Sequence, residues 1–218
     1  MCGRTSSKYL KEEKSVKLYL IRHGETDWNK VRRLQGSSDI SLNACGRKLA
    51  ELTRDGLKQI PFDAAYSSPL DRAAETGKII LKGRNLSLHM DSRLAEVDFG
   101  EYEGIREQEL RDRQDPFMDF FDNPENFRKK GGAENHRDVI NRAVDFLEDV
   151  VLPAEEKYKH MVIFSHGAWI HALLTKLYHR KIRDFWHAPR QENCGVSTVE
   201  VRNGECTVLE ESRIFYSI

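Results

Sequence analysis

Arg22-His23-Gly24-Glu25-Thr26-Asp27-Trp28-Asn29 follows a short apolar run, Val16 to Ile21, in which Val16, Leu18, Tyr19, Leu20 and Ile21 read as a largely buried strand. A cation, an imidazole and a glycine therefore stand on a loop where that strand ends, and open α/β sheets bind ligands at the carboxyl ends of their strands. The pattern recurs far along the chain. His160 to Phe164 is a second apolar run, followed at once by Ser165-His166-Gly167 and a helix-like segment. Two strand-His-Gly units in one chain predict two imidazoles converging on one crevice.

Between them, strands alternate with helices. Arg32 to Asp39 reads as an exposed loop, and Ser41-Leu42-Asn43 supplies caps for a helix from about Ala44 to Lys58, which Gly46 and Gly56 weaken. Phe62 to Tyr66 reads as a strand. Ser68 as N-cap and Pro69 at the first helical position would start the next helix, with Arg72 in its first turn. A strand around Leu86 to Met90 leads into the acidic turn segment Leu94 to Gly104. From Ile105 to Asn135, charges alternate with Phe117, Phe120, Phe121 and Phe127, and prolines and glycines break regularity, so short helices are expected. The clearest helix runs from about Arg137 to Glu156, with apolar residues at helical spacing on one face. After the His160 to Phe164 strand comes a helix from about Ala168 to Tyr178. Val196 to Val201, Asn203-Gly204 and Cys206 to Glu210 then carry the signal of a tight hairpin. This order predicts an α/β three-layer sandwich: a mostly parallel sheet with one antiparallel edge strand, and helices on both faces.

The 218 residues fit a single domain over 16–218, with a lid-like excursion at about 105–135, behind a polar, flexible tail at 1–15. Lys plus Arg and Asp plus Glu are 35 each, and this balance argues against a general nucleic-acid binder. A local cationic pocket is compatible with it. Cys2, Cys45, Cys194 and Cys206 are far apart and form no CxxC pair, so reduced thiols in a cytoplasmic protein are expected. The N-terminus lacks the apolar centre of a secretory signal, and the longest uncharged run, Met161 to Thr175, is shorter than the roughly 20 residues a bilayer needs. No membrane association is expected.

Five blocks in this order resemble the histidine phosphatase superfamily, the phosphoglycerate-mutase-like proteins, from Lys17 to about Glu200. They are RHGETDWN, GSSDISLNACGRKLA, YSSPLDRAAET, LAEVDFGEYEG and VIFSHG. The resemblance implies that His23 is a nucleophile that is transiently phosphorylated. That is sensible chemistry for a neutral imidazole whose other nitrogen is held in one tautomer. It implies that Arg22 and Arg72 clamp phosphate oxygens with planar, permanently charged guanidiniums. His166 would be a second, cationic imidazole directed at the charge growing on the transferring group. Glu96 would be the proton shuttle, protonating the leaving alkoxide and then activating water; Asp98 and Glu101 are its neighbours and alternatives. Thr26, Asn29, Gln35, Gly36 and Gly167 are candidate phosphate or substrate contacts.

Two departures stand out. Glu75 replaces the glutamine many members carry after the Arg72 block, and Gly132-Ala133-Glu134-Asn135 replaces a Gly-Glu-Ser turn. No metal and no cofactor are expected, because the arginines beside His23 and His166 oppose a cation and no carboxylate-histidine cluster adjoins them. His136, His160, His171, His179 and His187 read as surface or packing residues, with His187 a candidate for the pocket rim. The expected activity is hydrolysis of small phosphomonoesters. The alternatives are phosphoglycerate-mutase-type transfer, which in this family goes with a longer insertion and a covering tail, and a non-catalytic phospho-ligand module. The hairpin edge could pair with a second copy.

Overall fold

The computed structural model describes residues 14–217. The expected tail over 1–15 lies almost wholly outside them, while Ser15 already begins the first strand. In chain order the elements are β1 (Ser15–Arg22), α1 (Asp27–Lys30), α2 (Ala44–Gly56), β2 (Ala64–Ser67), α3 (Asp71–Ile80), β3 (Leu88–Met90), α4 (Glu107–Asp112), α5 (Asp119–Asp122), α6 (His136–Phe146), α7 (Leu152–Ala154), β4 (His160–Ser165), α8 (Gly167–Leu177), β5 (Val196–Arg202) and β6 (Glu205–Arg213).

The six strands form one sheet in the order β3-β2-β4-β1-β5-β6. β1, β2, β3 and β4 run parallel, and β5 pairs antiparallel with both β1 and β6. The expected antiparallel edge is thus a hairpin of two strands, with Asn203 and Gly204 at φ 54° and 78° in its turn. Alternation along β1 sends Leu18 and Leu20 into the core beneath α6 and α8, and Tyr19 and Ile21 into the core beneath α2 and α3. Fully burying each such side chain stabilises the fold by about 1.5–3 kcal/mol. Connections from β1 and β2 move toward β3, whereas the one from β4 moves past β1 to β5, so β4 and β1 flank the point where strand order reverses. No helix among the described residues is long and apolar enough to cross a membrane.

Three local differences from the sequence expectations have physical causes. Ser68 does not cap α3, which starts at Asp71 after Leu70 without a side-chain cap of its own. The Asp71 N–H donates instead to Asp39 Oδ1 at 2.7 Å, across the loop. The long helix is interrupted by one π-turn at Leu147–Val151 just before Pro153, whose missing N–H cannot continue the α ladder. Of the four phenylalanines in the excursion, Phe117, Phe120 and Phe127 are buried core residues, so most of that segment is packing rather than cover.

Gly46 is more than a weak point in α2. A Cβ there would lie 2.1 Å from Glu25 O, and one on Gly24 would lie 2.6 Å from Gly46 O, so backbone meets backbone beside His23. We expect Gly46→Ala to destabilise the protein by about 1–3 kcal/mol through forced displacement of this loop. A urea midpoint equal to that of the wild type would refute the tight contact.

Candidate active site

β1 and β4 pair in parallel with Arg22 opposite Ser165, so the next residue on each strand is a histidine leaving the sheet at the same level. The His23 N–H extends the ladder by donating to Ser165 O at 2.9 Å. The His23 and His166 rings lie 5.2 Å apart and tilted by 56°, both buried. His23 Nδ1 is 2.7 Å from Gly24 O. A carbonyl can only accept, so Nδ1 carries the proton and Nε2 presents a lone pair. Burial, then Arg72, then Arg22 push His23 well below the usual histidine range, which keeps it neutral and nucleophilic.

The same forces act on His166: burial first, then Arg72 and His23 push it well down. His166 is therefore neutral in these surroundings, and the expected cationic form would need a negative charge beside it. His166 Nε2 is held by Ser68 Oγ at 2.8 Å, and the same oxygen accepts from the Leu70 N–H at 3.3 Å, one residue before α3 starts. Its Nδ1 is buried without a partner.

Arg72, in the first turn of α3, donates to Ser38 O at 2.7 Å and Gly36 O at 2.6 Å. Arg22, at the end of β1, donates to Gln191 O at 2.6 Å. Backbone carbonyls thus fix both guanidiniums without neutralising them, and the Nε of each is buried with no partner. Burial lowers Arg22, and lowers Arg72 to about 10, so both remain charged at neutral pH. Orphaned donors on two fixed cations are unusual in a folded interior and suit an oxyanion.

Glu96 sits on the loop after β3, with its carboxylate at the N-terminus of α8, 3.3 Å from the N–H groups of Ala168 and Trp169. Arg142 of α6 fixes that loop, donating to Arg93 O at 2.9 Å, Ala95 O at 2.6 Å and Glu96 O at 2.9 Å. It also pairs with Glu134 at 3.1 Å, so the divergent Gly132-Asn135 turn supplies a clamp, and Asn135 caps α6 with Asp138 in a reciprocal box. Asp98 and Glu101 do not line the cavity described next. Glu75 is a surface partner of Arg47 at 2.7 Å.

Arg22, His23, Asn29, Gln35, Gly36, Arg72, Glu96 and Gly167 together line one cavity of about 370 Å³. Thr26 does not. It is the N-cap of α1, and its hydroxyl is engaged with Gln35 Oε1 at 3.0 Å and Asn29 Oδ1 at 3.1 Å, so it orients two lining residues instead of lining the cavity. His187 is exposed beside Asp184 and is not at the rim; its neighbour Trp186 is. His171, read as packing, is buried and lines the cavity. Arg142 and Trp186 lay beyond sequence reasoning: one looks like a solvated arginine on a helix, the other like an ordinary core aromatic.

The model of the histidine phosphatase superfamily (branch 1) matches residues 18–212. Phosphoserine phosphatase 1 of Hydrogenobacter thermophilus is 32% identical over 176 residues, covering 78% of this chain and 80% of that protein. A 2,3-bisphosphoglycerate-dependent phosphoglycerate mutase of Buchnera aphidicola is 29% identical, covering 75% of this chain and 84% of the mutase. Among solved structures, Bacillus stearothermophilus YhfR superposes with a TM-score of 0.85 at 30% identity, over 91% of this chain and 98% of that one.

Burial also pushes His136, stacked on Phe120 at 4.2 Å, and His171 down to about 4. Between about 4 and the unfolded value near 6.5, the unfolded chain holds a proton that the folded one does not. Stability is therefore complete above that window and lost as pH falls through it. At pH 5 each site should cost about 2 kcal/mol. Urea titrations at pH 7 and 5 should show this loss, and His136→Phe, which keeps the stack, should reduce the difference; an unchanged difference would count against it.

Proposed function

We propose that this chain, which belongs to the histidine phosphatase superfamily, is a phosphomonoesterase that hydrolyses small phosphorylated metabolites through a phosphohistidine formed on His23. The observation that carries the reading is the pair of fixed guanidiniums of Arg22 and Arg72, each with a buried, unpartnered Nε, beside a histidine in a defined tautomer. In the first step His23 Nε2 bonds to phosphorus as the ester P–O bond breaks, and a protonated Glu96 gives its proton to the departing alkoxide. In the second, water attacks the phosphohistidine, Glu96 takes the water proton, and the P–N bond breaks. Charge growing on the equatorial oxygens is met by Arg22, Arg72 and His166, which can take a proton once a dianion is bound. Two guanidiniums supply the positive charge that a metal would otherwise bring, which supports a metal-independent reaction.

Hydrolysis is favoured over mutase-type transfer by the character of the excursion. Three of its four phenylalanines are committed to the core and only Phe121 of the four lines the cavity, so little covers the intermediate against water. Phosphatases also stand among the relatives alongside the mutase. Cys45, Cys194 and Cys206 are free, which supports a cytoplasmic setting.

Phosphate release from p-nitrophenyl phosphate in EDTA should proceed with the wild type and fall by roughly a thousandfold or more in His23→Ala. Glu96→Gln should slow an alkyl phosphate far more than the aryl ester, whose leaving group departs without a proton. Turnover abolished by EDTA and restored by a divalent ion, or retained in folded His23→Ala, would overturn the proposal.

A further inference from the structure

The buried inner end of the cavity is accounted for by phosphate chemistry, but its mouth is not. Arg32, Arg33, Phe121, Trp186 and Arg190 line it there, with Arg32 and Arg190 exposed. Neither Arg32 nor Arg33 makes an ion pair among the described residues, and Arg33 lies over the Trp28 ring at 5.5 Å with its Nε buried and unpartnered. Arg190 reaches Glu192 only at 3.9 Å. Among the described residues the carboxylate lining the mouth is Glu107, which shares Arg111 with Asp122, each at 2.8 Å. Arg32, Arg33 and Arg190 against Glu107 and the more distant Glu192 leave the mouth with an excess of positive charge that the inner phosphate site does not need.

Arg32 carries a second, independent signal. Its φ is 49°, in the left-handed region, where a side chain costs energy and glycine does not. Its neighbours do not explain the arginine, since the Glu107 N–H donates to Arg32 O at 2.9 Å, a bond any residue could accept. A strained, unpaired arginine at the rim of a catalytic cavity points to a ligand contact.

We infer that the cavity mouth selects phosphomonoesters bearing a second anionic group, bound by Arg32 and Arg190 while the phosphoryl group sits against His23. The inference rests on the phosphomonoesterase reading of the cavity. A guanidinium fork donates two hydrogen bonds to either a carboxylate or a second phosphate, and Trp186 with Phe121 offers an apolar wall to the carbon chain between the two groups.

Matched pairs test this by titration calorimetry on His23→Ala, which binds without turnover: 3-phosphoglycerate against glycerol 3-phosphate, and fructose 1,6-bisphosphate against fructose 6-phosphate. The acidic member of at least one pair should bind about 10-fold more tightly, equivalent to about 1.4 kcal/mol. The pair that responds identifies the group as carboxylate or phosphate. Adding Arg32→Gln and Arg190→Gln should bring the preference to within about twofold. Arg32→Gly should weaken it while leaving the unfolding midpoint at or above that of the parent, because glycine suits the backbone there. Equal binding within both pairs, full preference in the double variant, or no binding by any of the four compounds would overturn the inference. Absence of aryl phosphate hydrolysis by the wild type would instead overturn the phosphatase reading, leaving this binding result to stand by itself.

Discussion

The site depends on one backbone register. β1 and β4 are adjacent and parallel with Arg22 opposite Ser165, so two residues far apart in sequence, His23 and His166, leave the sheet side by side. Side chains alternate across a strand, so a slip of one residue would turn Leu18 and Leu20 out of one core and bring Tyr19 and Ile21 into the wrong one. The apolar pattern that folds the sheet is thereby the same constraint that sets the spacing of the imidazoles. Gly24 and Gly46 then let α2 pack backbone to backbone against the loop that carries His23.

On that frame the charges are arranged in an unusual way. Buried arginines in most proteins are paired with carboxylates, because the cost of leaving a charge dry is high. Here Arg22 and Arg72 are held by the carbonyls of Gln191, Ser38 and Gly36, which fix direction without cancelling charge. Burial first, and this charge second, keep both histidines neutral, which leaves His23 its lone pair. The same charge, with the unpartnered Nε groups of Arg22 and Arg72, favours an anion in the cavity. One electrostatic arrangement thus bears on both the protonation state of His23 and the affinity of the cavity for an anion.

The parts of this that were legible in the sequence are those set by periodicity and local chemistry. The strand-His-Gly units, the Asn43 cap and the Asn203-Gly204 hairpin each follow from a few neighbouring residues. Ser68-Pro69 misled because its local signal for a helix start was sound, but the Ser68 hydroxyl is engaged by His166, 98 residues away in sequence. Thr26 misled in the opposite direction, as a polar loop residue close to His23 that turns inward to hold Asn29 and Gln35. Arg142 was invisible because its importance lies in three backbone carbonyls on another segment, and no pattern along α6 records them.

Those misses share a cause that also separates chemistry from selectivity in this molecule. Arg22, His23, Arg72, His166 and Gly167 are fixed by the sheet ends and the first turns of α3 and α8, where backbone hydrogen bonds leave little freedom. Arg32, Trp186 and Arg190 instead come from loops and a short helical turn, positioned by long-range packing such as Trp186 Nε1 donating to Phe120 O at 2.9 Å. Loops tolerate change at low cost to the fold, so the rim can vary while the register of β1 with β4 cannot. Arg32 shows the limit of that freedom: even on a loop, its left-handed backbone is a cost, and the side chain it carries has to be justified by what enters the cavity.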